Sequence, residues 1–209
     1  PDMIEDIFIK NKIYRYADIG CGGGSLLYLL RLNGHLEKLE VFAIDLSQVR
    51  LDSINKNMVE IKTVKADACE MYQIMDGYFD FVTSVQVIEH VKDDNLMIKE
   101  LKRITRDNGY IYISTIYRKW YGWYFYKNND RRVLDPTHIR EYTQNGQLLH
   151  LIEKNGLKVL ETKKSLCWYA PIDFFIYRLK FKELSKMYFL RKIKFPILGY
   201  YNWEILIKK

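Results

Sequence analysis

Between Tyr14 and Leu32 an apolar run meets a glycine loop, and the loop opens into a stretch with helical character. The loop reads Asp18-Ile19-Gly20-Cys21-Gly22-Gly23-Gly24. Tyr14 to Ile19 reads as a strand, and Ser25 to Leu32 reads as a helix closed by Asn33-Gly34. A strand, a backbone-exposing loop and a helix in that order make a nucleotide-type pocket. Glycines suit the loop because a Cβ would hold a ligand away from the main chain.

The dinucleotide fingerprint, G-x-G-x-x-G, receives a pyrophosphate on the N-terminus of its helix. Here the spacing is G-x-G-x-G, Ser25 stands where the third fingerprint glycine would be, and Asp18 sits two residues before the first. A carboxylate ~6 Å from a phosphate would cost ~3 kcal/mol at an effective dielectric near ~20. The same carboxylate favours a cation, so the loop is expected to prefer an ammonium or sulfonium to a pyrophosphate. A nicotinamide-dependent oxidoreductase is therefore the second enzyme reading.

The loop resembles motif I of the class I S-adenosylmethionine-dependent methyltransferases. The resemblance continues through Ala43-Ile44-Asp45-Leu46-Ser47, Ala66-Asp67-Ala68 and Phe79-Asp80-Phe81-Val82 to Val87-Ile88-Glu89-His90-Val91. It covers most of residues 14 to 160. It implies S-adenosyl-L-methionine as cofactor, with Asp18 and the loop at Gly20, Cys21, Gly22 and Gly24 holding the methionine moiety. It further implies Asp45, with Leu46 beside it, on the ribose hydroxyls, Asp67 and Ala68 on the adenine, and Val85 and Gln86 as the floor. Taken alone, Asp45 and Ser47 would serve equally well as a helix cap. Asp80 is read as structural, since it lies at the far end of its strand.

Strands alternating with helices imply a doubly wound α/β sheet. The strands are expected at Tyr14–Ile19, Leu39–Leu46, Lys62–Ala66, Phe79–Val85, Tyr110–Ile116, Leu157–Thr162 and Tyr201–Ile207. Helices are expected from Ser47 to about Asn57, from Asp93 or Asp94 to a stop at Asn108-Gly109, and from a cap at Thr143 to Asn155-Gly156. A short leading helix is expected over Asp2 to Lys10. The family resemblance adds a seven-stranded, mostly parallel sheet whose last strand runs antiparallel beside strand six.

Methyl transfer from a sulfonium needs alignment and exclusion of water, and a neutral hydroxyl acceptor also needs a base. His90 follows strand four. His138 lies in Asp135-Pro136-Thr137-His138-Ile139-Arg140-Glu141-Tyr142, which resembles the His-x-Arg-Glu-Tyr stretch bordering the acceptor in small-molecule and quinone-type methyltransferases. Either histidine is a candidate base or acceptor ligand. The bland alternatives are a helix-start residue for His90 and an anchor for His138, with Arg140 and Glu141 as a surface pair. A metal site using Glu89, His90 and His138 is conceivable, but nothing in the spacing requires it and no metal set is assigned; His35 and His150 are read as surface or packing residues.

The 209 residues suit one domain, 1–209, with two segments outside the plan at 117–142 and 171–196. The first is rich in tryptophan and tyrosine. It reads as a lid over an apolar or aromatic small-molecule acceptor, or equally as the private core of a long loop. The second carries most of the net charge of +7. Its Tyr177, Phe181, Leu184 and Tyr188 share a helical face beside Arg178, Lys182 and Lys186, a pattern suited either to peripheral membrane contact through 174–194 or to packing on the domain with solvated cations. The near-neutral remainder argues against a nucleic-acid partner. Three scattered cysteines and no apolar span fit a cytoplasmic protein. No secretory signal is visible, and Pro1 at the start fits a trimmed chain. Oligomeric state is not encoded in any motif.

Overall fold

Successive side chains of the central strands point to opposite faces, and here both sets are apolar. Tyr16, Ala43, Phe81 and Tyr112 face one layer, while Ala17, Ile44, Val82 and Ile113 face the other. Such strands can be buried only between two layers of helices. The computed structural model describes residues 2–124, 126–128, 131–169 and 192–209. In chain order the elements are α1 (Asp2–Lys10), β1 (Arg15–Ile19), α2 (Ser25–Leu32), β2 (Glu40–Asp45), α3 (Gln48–Asn57), β3 (Lys62–Lys65) and β4 (Phe79–Val85). They continue with α4 (Asp94–Ile104), β5 (Thr105–Arg118), β6 (Tyr126–Asn128), β7 (Arg131–Val133), α5 (Asn145–Lys154), β8 (Lys158–Tyr169) and β9 (Phe195–Lys208).

The main sheet has the order β3-β2-β1-β4-β5-β9-β8, with β6 and β7 forming a separate hairpin. β9 runs antiparallel to both β5 and β8, and the remaining pairs are parallel. Helices α1, α2 and α3 cover one face through Ile4, Leu27, Leu51 and Ile54, and α4 and α5 cover the other through Met97, Leu101, Leu148 and Ile152. The strand order reverses between β1 and β4, which opens a crevice at their carboxyl ends. Among the described residues, no helix is long and apolar enough to cross a membrane.

Local chemistry moves several predicted boundaries. The cap of α5 is Gln144, one residue beyond Thr143, because Gln144 and Gln147 satisfy each other's backbone in a capping box. Ser47 occupies the cap position of α3, but its side chain makes no cap bond. Asp45 accepts from the Ser47 amide instead, at 2.8 Å. Asp93 caps α4 by accepting from Leu96, as expected.

Helix α4 ends at Ile104, four residues before the predicted stop. Asn108-Gly109 is a tight bend in which Asn108 takes a φ of 61° and a Cβ on Gly109 would lie 2.7 Å from Thr105. Strands β8 and β9 run well past their predicted ends toward each other, so 195–196 is strand. Asp80 accepts from the amides of Tyr14 and Arg15 and pairs with Arg106, the structural part expected of it. The aromatic and basic residues of the predicted second helix, Tyr177 to Tyr188, lie outside the described residues.

Candidate active site

A cleft of about 690 Å³ opens where the strand order reverses. Gly20, Asp45, Leu46, Asp67, Ala68, Gln86 and His90 line it, all drawn from strand ends or the loops just beyond them. Asp18, Cys21, Gly22, Gly24 and Val85 stand behind this surface rather than on it, and His138 is buried behind His90.

The carboxylates on the β1–β3 side are held by nearby main chain. Asp45 accepts from Gly22 through one oxygen and from Ser47 through the other, each at 2.8 Å. Asp67 accepts from Cys69 at 2.8 Å. The glycine loop is tied down as well, because the amides of Gly20 and Cys21 both donate to the Ile44 carbonyl. A Cβ on Gly20 would meet a Val87 methyl at 2.3 Å, and its φ is 68°. Packing against the loop after β4 therefore demands that glycine before any ligand does.

Asp18 is buried and accepts from Thr83 at 2.8 Å, and the Thr83 hydroxyl bonds in turn to Tyr16 at 2.7 Å. Burial pushes its carboxyl up to about 7, against the Thr83 hydrogen bond and with help from Asp45. A charge expected to be permanent is thus poised near half ionisation at neutral pH. Burial also drives the Cys21 thiol far above its usual range, which leaves it inert.

The opposite wall is built by residues distant in sequence. The His90 Nδ1 lies 3.2 Å from the Thr137 carbonyl and 3.1 Å from the Thr137 hydroxyl, whose own proton goes to Asp135 at 2.6 Å. A carbonyl can only accept, so Nδ1 carries the proton and Nε2 keeps the lone pair. Burial lowers the His90 pKa, favouring that neutral form. His138 packs edge-on to His90, with ring centroids 4.9 Å apart, and its Nδ1 meets Glu141 at 3.1 Å.

Glu141 is no surface residue. It also accepts from the Leu134 amide and lies 3.3 Å from the Arg118 Nε. Arg140 instead donates to the carbonyls of Ile88, Val91 and Lys92, while Tyr142 donates to Asp94. The segment resembling His-x-Arg-Glu-Tyr is therefore a clamp on the loop that carries His90.

Residues 17–113 match the family model described as a methyltransferase domain. That match lies on a sheet ordered 3-2-1-4-5-9-8 with its cleft at the reversal. The matched stretch is a methyltransferase domain. A ubiquinone biosynthesis O-methyltransferase of Bartonella tribocorum is 26% identical over 155 residues, covering 70% of this chain and 61% of the relative. The chain thus spans about three-fifths of that relative's length. Among solved structures, the YcgJ protein of Bacillus subtilis covers 100% of the chain and 98% of its own length at a TM-score of 0.72 and 15% identity. The [4+2]-cyclase SpnF superimposes with a TM-score of 0.71 at 16% identity, covering 100% of the chain and 79% of its own. At such identities both establish the fold alone.

Sequence reasoning passed over Arg50 and weighed Glu89 only as a conceivable metal ligand that nothing in the spacing required. Arg50 reaches the cleft from the first turns of α3, 4.0 Å from Asp45. Its place five residues after the acid was a usable signal. Glu89 is fully buried, accepts from Thr115 through Oε2 at 2.9 Å and, among the described residues, has no hydrogen-bond partner on Oε1. Burial raises its carboxyl to about 6. Polar atoms of Glu89, His90 and His138 lie within 4.8 Å of one another. The fold thus brings within reach of one another the three residues that the sequence offered only as a conceivable metal set.

Proposed function

We propose that this domain transfers the methyl group of S-adenosyl-L-methionine to a hydroxyl of a small apolar or aromatic acceptor. One observation carries the reading: Asp45 and Asp67 line one wall of a cleft whose other wall presents His90, its Nδ1 turned to the Thr137 carbonyl at 3.2 Å. Asp45 would receive the ribose hydroxyls, since a carboxylate whose oxygens each hold one amide retains further acceptor capacity. Asp67 and the Ala68 amide would receive the adenine. Gln86, held in place through Asn202, would form the floor with Val85 behind it. Asp18, Cys21, Gly22 and Gly24 would shape the methionine end from beneath.

When bound, the cofactor would supply a methyl carbon activated by its sulfonium, which an acceptor oxygen could take as the carbon–sulfur electron pair returned to sulfur. His90 would take the hydroxyl proton, with His138 as the alternative or supporting group behind it. Because the relative named for ubiquinone biosynthesis is an O-methyltransferase by name, quinol-type hydroxyls are the first acceptors to test. The test is S-adenosylhomocysteine release with a panel of phenols and quinols, beside calorimetry with S-adenosylhomocysteine and NAD. Binding of NAD alone would remove the reading. Tight S-adenosylhomocysteine binding without turnover on any acceptor would leave a cofactor-binding protein, a reminder that this fold also hosts a cyclase.

The unpartnered oxygen of Glu89 favours a second reading of the acceptor wall. Glu89, His90 and His138 offer an oxygen and two nitrogens of the kind that hold a divalent cation. Such an ion would lower the pKa of a bound hydroxyl and relieve His90 of its part as base. Turnover abolished by a chelator and restored by a divalent cation would select this reading. The peripheral membrane contact expected of 174–194 belongs to the same proposal, as a supply route for an apolar acceptor.

A further inference from the structure

We infer that a described surface, which shares only 192–194 with segment 174–194, seats this domain on an anionic lipid bilayer. It lies at the tip formed by the carboxyl ends of β5 and β8 and the amino end of β9. The turn after β5 packs on β9 there, with Lys119 donating to the Gly199 carbonyl at 2.7 Å. A Cβ on Gly199 would lie 2.5 Å from the Gly122 Cα. By strand direction this is the end of the sheet that also holds the cleft.

Alternation is what singles the tip out. A half-covered strand normally turns apolar residues inward and polar ones outward. Toward the tip the inward set is apolar as expected, with Ile197, Tyr200 and Ile116 packed together against Tyr124 and Tyr169. Large apolar side chains are nevertheless exposed at this tip. Trp168 is 57% exposed, Phe195 51% and Leu198 72%, and Trp120 on the adjoining turn is 90% exposed. Large outward apolar side chains clustered on a rigid aromatic base mark an interaction surface rather than leftover core.

Charge decides the occupant. Residues 118–123, 164–169 and 192–200 contain no Asp or Glu, whereas Lys119, Lys192 and Lys194 are exposed there. Tryptophan and phenylalanine with lysines around them suit the headgroup boundary of a membrane carrying negative lipids. A second copy is the poorer occupant, because a two-fold contact would set these lysines against their own images. The same insertion that begins with Trp120 ends with Thr137 and Ile139 in the cleft wall, so a seated tip would bring the cleft close to the lipid surface.

The experiment is co-sedimentation of the full chain with vesicles of phosphatidylcholine alone and of phosphatidylcholine with about one-third phosphatidylglycerol. It is read without cofactor or acceptor, so its outcome is independent of the methyl-transfer reading. The anionic vesicles should pellet the protein and added salt should release it. The Phe195→Glu, Leu198→Glu double variant and the Lys192→Gln, Lys194→Gln double variant should each bind about tenfold more weakly while keeping the wild-type melting temperature. The inference falls if neither vesicle pellets the wild type, or if the variants pellet as well as it does. It falls equally if wild type ignores vesicles and the Glu variant either melts well below it, showing the tip covered from within, or dissolves a dimer.

Discussion

The two walls of the cleft are built in opposite ways. On the cofactor side, Asp45 and Asp67 are held by amides of loops beside their own strands, two residues away in Ser47 and Cys69, with the glycine loop adding Gly22. On the acceptor side, His90 is placed by Thr137, and its loop is clamped by Arg140, some 50 positions along the chain. Short-range hydrogen bonds make the first wall almost as rigid as the strands it grows from. The second wall exists only once the sheet has closed and 137–142 has docked on 88–94. Cofactor binding and acceptor chemistry should therefore be separable by mutation.

The sharpest test of that separation is His90→Ala. Turnover of a hydroxyl acceptor should fall about 10²–10³-fold, as loss of a general base would give. Calorimetric affinity for S-adenosylhomocysteine should stay within about twofold, because His90 belongs to the other wall. A comparable loss of cofactor affinity would break the comparison.

Asp45→Ala is the converse. It should weaken S-adenosylhomocysteine binding by about 10–100-fold, or about 1.4–3 kcal/mol, by calorimetry. Unchanged affinity would remove Asp45 from the ribose site and leave it as the cap of α3.

Arg140→Leu tests whether the acceptor wall is a docked assembly. It strips donors from three carbonyls, so a denaturant melt should show about 2 kcal/mol of lost stability, some thirtyfold in the folding equilibrium. Turnover should fall with it, while affinity for S-adenosylhomocysteine persists under native conditions. Arg140→Lys should recover only part, since an ammonium lacks the planar fork that spans those carbonyls.

The smallest effect concerns pH. Asp18 sits at about 7 in the free protein, and its ionised form favours a cationic ligand, so affinity for S-adenosylmethionine should rise by roughly tenfold from pH 6 to 8. Asp18→Asn should flatten that rise. Stability of the free domain runs the other way. A carboxyl raised by folding contributes fully below its ordinary value near 3.8 and loses that contribution as pH climbs through about 7. A melt series across that window that shows no decline attributable to Asp18 would mean its burial is relieved in solution.

Legibility in the sequence followed the same divide. The glycine loop, Asp45 at a strand end and Asp67 at another could be recognised because each depends on a few consecutive residues and on strand periodicity. The α/β architecture was legible for that reason, with α2 and β4 placed to the residue. Glu89 could be weighed only as a conceivable metal ligand, because its burial and its nearness to His138 arise from pairing between β4, β5 and a distant segment. Arg140 and Glu141 were read as neighbours on a surface for the same reason, although each turns to a different partner inside.

What the chain by itself determined is thus a layered sheet and a cofactor crevice, because main-chain hydrogen bonds and alternating burial are written in short windows. Tertiary structure alone decided that Asp18 lies buried near neutrality, that His90 keeps its lone pair on Nε2, and that one end of the sheet shows aromatic residues outward. Each of those depends on which groups exclude water from one another, and that is settled only when segments far apart in the chain meet.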